Sequence, residues 1–224
     1  RLCGDVLVLD EPLSALDRSL RDRLRDTIGR IQRETGVTTL FVTHEQTDAM
    51  ALADRLLVMD DGAIAGSGDP RSLYENPPTP FVASFLGRSN ALSGTLVGTQ
   101  PPSVRIAERT LRLDGESTEP AIGSTVTCHV RPEHLSLRDP GADGTAQQLQ
   151  GEITQIRDLG RHYDVTVRLS SGAELLVERT SRPPTVGETA AVEVPAARVT
   201  LFAADKKDAV AKVGRADTSH QELS

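Results

Sequence analysis

Apolar residues run without interruption from Val6 to Leu9, and the run ends in the carboxylate pair Asp10-Glu11. A short continuous apolar run bounded by polar and turn residues predicts a parallel strand covered on both faces. From Ser19 to Thr35 the spacing changes. Leu20, Leu24, Ile28 and Ile31 recur three and four apart among Arg and Asp, which predicts an amphipathic helix. Gly36 follows where a left-handed C-terminal residue is favoured. Thr38 to Val42 predicts the next strand, Glu45 to Ala53 a second helix, and Arg55 to Asp60 a third strand ending in the turn Asp60-Asp61-Gly62. Strands alternating with helices at this spacing predict a doubly wound parallel sheet. Ile64 to Pro70 predicts a short strand and turn, and Arg71 to Leu86 one or two short helices broken at Asn76-Pro77-Pro78.

Past about Asn90 the period falls toward two. Short runs rich in Val, Thr, Leu and Ile alternate with Gly, Pro and Ser: Leu92 to Val97, Val104 to Ile106, Thr110 to Leu113, Thr125 to Val130, Gly151 to Arg157, Tyr163 to Leu169, Glu174 to Glu178, Ala190 to Val194 and Val199 to Phe202. Many short strands with turns between them predict a small barrel or sandwich. From Ala203 the chain is polar, charged and aperiodic, and disorder is expected. The expected division is residues 1–88, an α/β part, residues 89–202, an all-β part, and residues 203–224, a disordered tail.

The chemistry sits where the first two strands end. Ligands of an open α/β sheet bind at the carboxyl ends of its strands, and Asp10, Glu11 and His44 all fall there. A site that hydrolyses a nucleoside triphosphate must hold Mg2+, orient a water and contact the terminal phosphate. Asp10 is placed for the metal, directly or through a bound water, Glu11 for the water as general base, and His44 for the phosphate. Taken singly, each also reads as a strand end meeting solvent; the joint pattern favours a site.

The 224 residues suit two domains, and the formal net charge of −7 with 3% aromatics argues against a nucleic-acid or anionic-membrane surface. Cys3 and Cys128 lie far apart, with no C-x-x-C spacing and no His/Cys cluster to suggest zinc, so both read as ordinary thiols of a reducing compartment. No apolar run reaches the ~18 residues that span a bilayer, and no signal pattern opens the chain. The alternating charges from Arg18 to Arg33 read as a solvated helix face. Arg131, Glu133 and His134 read equally as an interface contact or a locally paired turn.

The run V-L-V-L-D-E-P-L-S-A-L-D, followed by V-T-H-E-Q-T-D-A-M-A-L-A-D-R-L-L-V-M-D-D-G, resembles the Walker B, D-loop and H-loop region of an ABC-transporter ATP-binding subunit. By that resemblance Asp10 is the Walker B aspartate and Glu11 the catalytic glutamate. Ser14 to Asp17 form the D-loop, with Ser14 and Asp17 as nucleotide contacts, and His44 is the switch histidine. The segment G-S-G-D-P-R-S-L-Y-E-N-P-P-T-P-F-V-A-S-F-L-G resembles the exit from the ATPase domain in importers of the maltose, sulfate, polyamine and ferric-iron type. The β-rich remainder resembles their transport-associated OB (TOBE) domain, with H-V-R-P-E-H-L at 129–135 as its best local marker.

The resemblance implies a partial P-loop NTPase domain followed by an OB-like barrel. It implies ATP and Mg2+ as cofactors of the complete protein, a homodimeric partner subunit, transmembrane permeases, and a cytoplasmic location on the inner face of the membrane through those permeases. No lysine precedes Lys206, so the phosphate-cradling loop G-x-x-x-x-G-K-[ST] is missing, and no L-S-G-G-Q precedes Val6. Leu92-Ser93-Gly94-Thr95-Leu96 lies in the β-patterned part and is a decoy for that signature. The expectation is a C-terminal fragment of an importer ATPase, inactive alone. The alternatives are a truncated regulatory or assembly module without catalysis, and an ATPase of the same superfamily of the DNA-repair type. The transported solute stays open, because receptor and permease residues choose it.

Overall fold

A computed structural model describes residues 6–114, 120–139 and 147–204. The chain divides into two compact units, Arg1–Gly87 and Arg88–Ser224.

In the first unit, strand β1 (Val6–Asp10) pairs in parallel with β2 (Thr38–Val42), with Asp10 opposite Val42. Helix α1 (Arg18–Thr35) connects them. Its first turn is capped by Asp17, whose Oδ1 accepts from the Leu20 N–H at 3.0 Å. Its end is closed by Gly36 at φ 64°, whose N–H reaches the Gln32 carbonyl, as the glycine's position predicts. Helix α2 (Gln46–Leu52) starts two residues after His44.

Strand β3 (Leu56–Asp60) departs from expectation. It joins no parallel sheet with β1 and β2, but folds back in an antiparallel hairpin on β4 (Ala63–Gly68). The reason is local. Asp61 and Gly62 both take positive φ, 46° and 80°, the two-residue turn whose twist suits a tight hairpin. Helices α3 (Pro70–Glu75) and α4 (Pro80–Phe85) follow, split at Asn76-Pro77-Pro78 as the prolines dictate. Each opens with proline after a side-chain cap: Asp69 accepts from Ser72 N–H at 2.9 Å, and Thr79 from Val82 N–H at 3.2 Å. Val58, Leu73, Val82 and Leu86 form the core beneath this hairpin.

The expected two-sided cover of the parallel strands is not found. Val6, Val8, Leu40 and Val42 are exposed, because two strands and their helix offer too little surface to bury both faces.

The second unit is all-β. Strands β5 (Asn90–Thr99), β6 (Pro102–Ile106), β7 (Arg109–Arg112), β8 (Thr125–Val130) and β14 (Val199–Ala203) form one antiparallel sheet in the order β14-β8-β5-β6-β7. Strands β9 (Ser136–Arg138), β10 (Gln148–Asp158), β11 (Tyr163–Leu169), β12 (Glu174–Arg179) and β13 (Thr189–Glu193) form a second, ordered β12-β11-β10-β13-β9. The period of two sends Leu92 and Leu96, Val126, Cys128 and Val130, and Val165, Val167 and Leu169 into one shared apolar core.

Two glycines let the strands approach. A Cβ on Gly94 would lie 2.5 Å from Val104 Cγ1, and one on Gly151 2.5 Å from the Arg168 carbonyl oxygen. The sheets are also tied by Asn90, whose amide donates to the Leu176 carbonyl at 2.8 Å and accepts from the Leu176 N–H at 2.7 Å. The decoy Leu92–Leu96 lies within β5. Ala203 closes β14, so strand structure reaches into the stretch expected to be tail; residues 205–224, like Cys3, lie outside the described residues.

Candidate functional site

The end of β1 and the end of β2 meet through Glu11 and His44. Glu11 sits in the left-handed region, φ 47°, which a non-glycine residue holds only when its surroundings impose it. Those surroundings are visible. Its N–H donates to the Val42 carbonyl at 2.9 Å, and its carbonyl accepts from the Ser14 N–H at 3.3 Å and the Ser14 hydroxyl at 2.9 Å. Its carboxylate is turned toward β2, where Oε1 accepts from the His44 backbone N–H at 3.0 Å and lies 2.8 Å from His44 Nδ1. The other oxygen, Oε2, is buried and has no hydrogen-bond partner.

His44 is exposed, and hydrogen bonding and charge attraction from Glu11 raise its pKa above the ordinary 6.5, with Glu45 adding a smaller effect in the same direction. Asp10 is exposed at the strand end. One exposed carboxylate suits Mg2+, which keeps most of its waters and takes one or two protein carboxylates beside substrate phosphates. Of the expected nucleotide contacts, Ser14 is engaged with the Glu11 carbonyl and Asp17 with the cap of α1. The structure therefore brings Glu11, His44 and Ser14 into one bonded group, with Asp10 adjacent in the chain and Asp17 three residues beyond Ser14, at the cap of α1.

The charges on α1 do more than face solvent. Arg21 pairs with Glu45 at 2.8 Å, and Arg25 pairs with Asp48 of α2 at 3.2 Å. Asp48 is only 1% exposed. These pairs fasten α1 to the helix that follows His44. Only the fold reveals them, because the partners lie 23 or more residues apart. In the second unit Arg131 is buried and its guanidinium donates to the Arg88 carbonyl at 3.1 Å, while Pro132–His134 form a 3-10 turn.

A second constellation is absent from the sequence reading. Asp164 of β11 and Glu178 of β12 face each other directly across the strand pair, with Arg88 bonded to both and His162 beside them. Asp164 occupies the face opposite to Val165 and Val167, so period alone would mark it as exposed. Only the register shows two carboxylates opposed.

Residues 128–202 match the TOBE domain family. That stretch takes in strands β9 to β13 and β14 up to Phe202, with the end of β8, all within the all-β second unit. Among curated relatives, the Fe(3+) ions import ATP-binding protein FbpC 1 of Rhizobium meliloti (strain 1021) is 38% identical over 175 residues, 77% of this chain and 48% of that protein. The spermidine/putrescine import ATP-binding protein PotA of Trichodesmium erythraeum (strain IMS101) is 34% identical over 182 residues, 78% of this chain and 48% of its own length. The chain belongs with the ATP-binding subunits of ABC importers, and spans about half the length of the curated relatives it matches. A solved structure of the cytoplasmic molybdate-binding protein ModG aligns with a TM-score of 0.47 and 18% identity, over 51% of this chain and 96% of that one. Among the described residues no helix is long and apolar enough to cross a membrane.

Proposed function

We propose that this chain supplies the hydrolytic half of an ATP site in an importer subunit, and that the TOBE domain regulates or assembles it. The observation that carries the reading is the anchored Glu11 carboxylate, held by His44 through one oxygen and left with a buried, unpartnered second oxygen.

Glu11 Oε2 takes a proton from the attacking water as the water adds to the terminal phosphorus of ATP, whose bond to the bridging oxygen breaks to leave ADP and phosphate. His44 holds Glu11 through Nδ1, while its Nε2 lies 3.9 Å from Glu45 Oε1. Protonated, it donates from both nitrogens at once, to Glu11 and to the terminal phosphate. Asp10 would hold the Mg2+ that accompanies ATP, which would supply positive charge to the phosphates. Ser14 fixes the Glu11 backbone and, with Asp17, lies on the loop that faces a partner subunit. The exposed apolar faces of β1 and β2 support the reading of this unit as part of a larger P-loop sheet. With no lysine before Lys206, the backbone cradle and lysine that provide most phosphate contacts lie elsewhere, and the chain alone is proposed to bind ATP poorly.

In the complete assembly two such subunits sandwich ATP and drive permeases from the cytoplasmic face of the membrane. Uptake in cells tests this. Deleting the coding sequence should abolish import of one solute, restored by the natural sequence and not by Glu11→Gln. Full restoration by Glu11→Gln would overturn the reading. In solution, micromolar ATP affinity of the isolated chain would overturn the assignment of phosphate binding to another part.

A further inference from the structure

We propose that His162, Asp164 and Glu178 form a binding site for a divalent metal ion of the zinc class on the outer face of the β11–β12 strand pair. The site is independent of the ATPase reading. His162 precedes β11, Asp164 lies on it, and Glu178 is the residue of β12 directly opposite Asp164. Two carboxylates in register repel each other unless a cation lies between them. Arg88 meets part of that need: its guanidinium bonds Asp164 Oδ2 and donates to Glu178 Oε2 at 2.7 Å. It does not reach the other side of Asp164. Oδ1 is buried without a hydrogen-bond partner on a side chain nine-tenths buried, and the Nε2 of His162 is likewise buried and unbonded.

These orphaned atoms face each other. His162 Nε2 lies 3.4 Å from Asp164 Oδ1 and 3.8 Å from Glu178 Oε2, and the three ligand atoms all fall within 4.8 Å of one another. Tetrahedral ligands at about 2.0–2.1 Å from zinc stand roughly 3.3–3.5 Å apart. Small side-chain movements would close the site around one ion. Each carboxylate oxygen has two lone pairs, so Glu178 Oε2 can accept from Arg88 and still face the metal. Arg88 then orients both carboxylates from behind, the usual work of groups that bond metal ligands. One nitrogen and two carboxylate oxygens, with a fourth position left for water, suit zinc better than calcium, which takes six to eight oxygens.

Isothermal titration of the intact chain with zinc chloride tests the proposal, using the natural sequence, His162→Ala, Glu178→Gln and His44→Ala. The expected result is one Zn2+ per chain, with affinity lowered at least tenfold by His162→Ala and by Glu178→Gln and unchanged by His44→Ala. Circular dichroism of His162→Ala, whose side chain packs no core, should show the native fold. Cobalt(II) should give a visible ligand-field band that His162→Ala removes. No binding, binding unchanged in His162→Ala, or binding lost only in His44→Ala would each overturn the site.

Discussion

His44 Nδ1 lies 2.8 Å from Glu11 Oε1, and the same oxygen accepts the His44 backbone N–H at 3.0 Å. One carboxylate oxygen thereby joins the ends of two parallel strands. The ring's pKa is raised by this contact. A raised histidine pKa means that the pairing stabilises the fold fully below about 6.5 and is lost as pH rises through the higher, folded value. An NMR titration of His44 should give a midpoint above that of a free histidine, returning toward about 6.5 in Glu11→Gln. A midpoint indifferent to Glu11 would contradict the pairing.

Arg25 and Asp48 make a different kind of bond. Asp48 is almost wholly buried and Arg25 largely so. Removing one partner of such a pair leaves a buried charge and costs about 3–5 kcal/mol. Arg25→Ala should therefore lower the urea stability of the first unit by about 3 kcal/mol, whereas Arg30→Ala, whose pair with Glu34 is exposed, should change it by less than about 0.5 kcal/mol. Equal effects would show that Asp48 is not held by Arg25.

Gly151→Ala places a methyl 2.5 Å from the backbone oxygen of Arg168, which cannot step aside as a side chain can. Overpacking of this kind costs about 1–3 kcal/mol, and thermal unfolding of the second unit should shift down accordingly. Gly98→Ala, with no atom closer than 3.4 Å, should be tolerated.

Burial pushes the Cys128 thiol up to about 12. In a Cys3→Ser background it should resist thiol reagents at pH 8 and react once the chain is denatured. Rapid labelling of the native protein would show that the core around Val126 and Val130 opens.

The elements were legible wherever a local rule decides them: the Gly36 end of α1, the proline break between α3 and α4, and the period of two in β5, β8 and β11. That Asp10, Glu11 and His44 stand at or just beyond the ends of β1 and β2 was legible from the two apolar runs that precede them. What the chain's local pattern could not show was pairing. The hairpin partner of β3, the three-residue strand β9, the Arg25–Asp48 tie and the Asp164–Glu178 opposition all depend on which strand or helix comes alongside. The Asp61-Gly62 turn at the end of β3 is what brings β4 back alongside it.

As proposed above, Glu11 is the general base of an ATP site. Steady-state ATP hydrolysis by the subunit assembled with its permeases, comparing the natural sequence with Glu11→Gln, tests it most directly. Turnover should fall about 100-fold or more with ATP binding retained, since general-base catalysis contributes about 10²–10⁴. Turnover within a few-fold of the natural protein would contradict it.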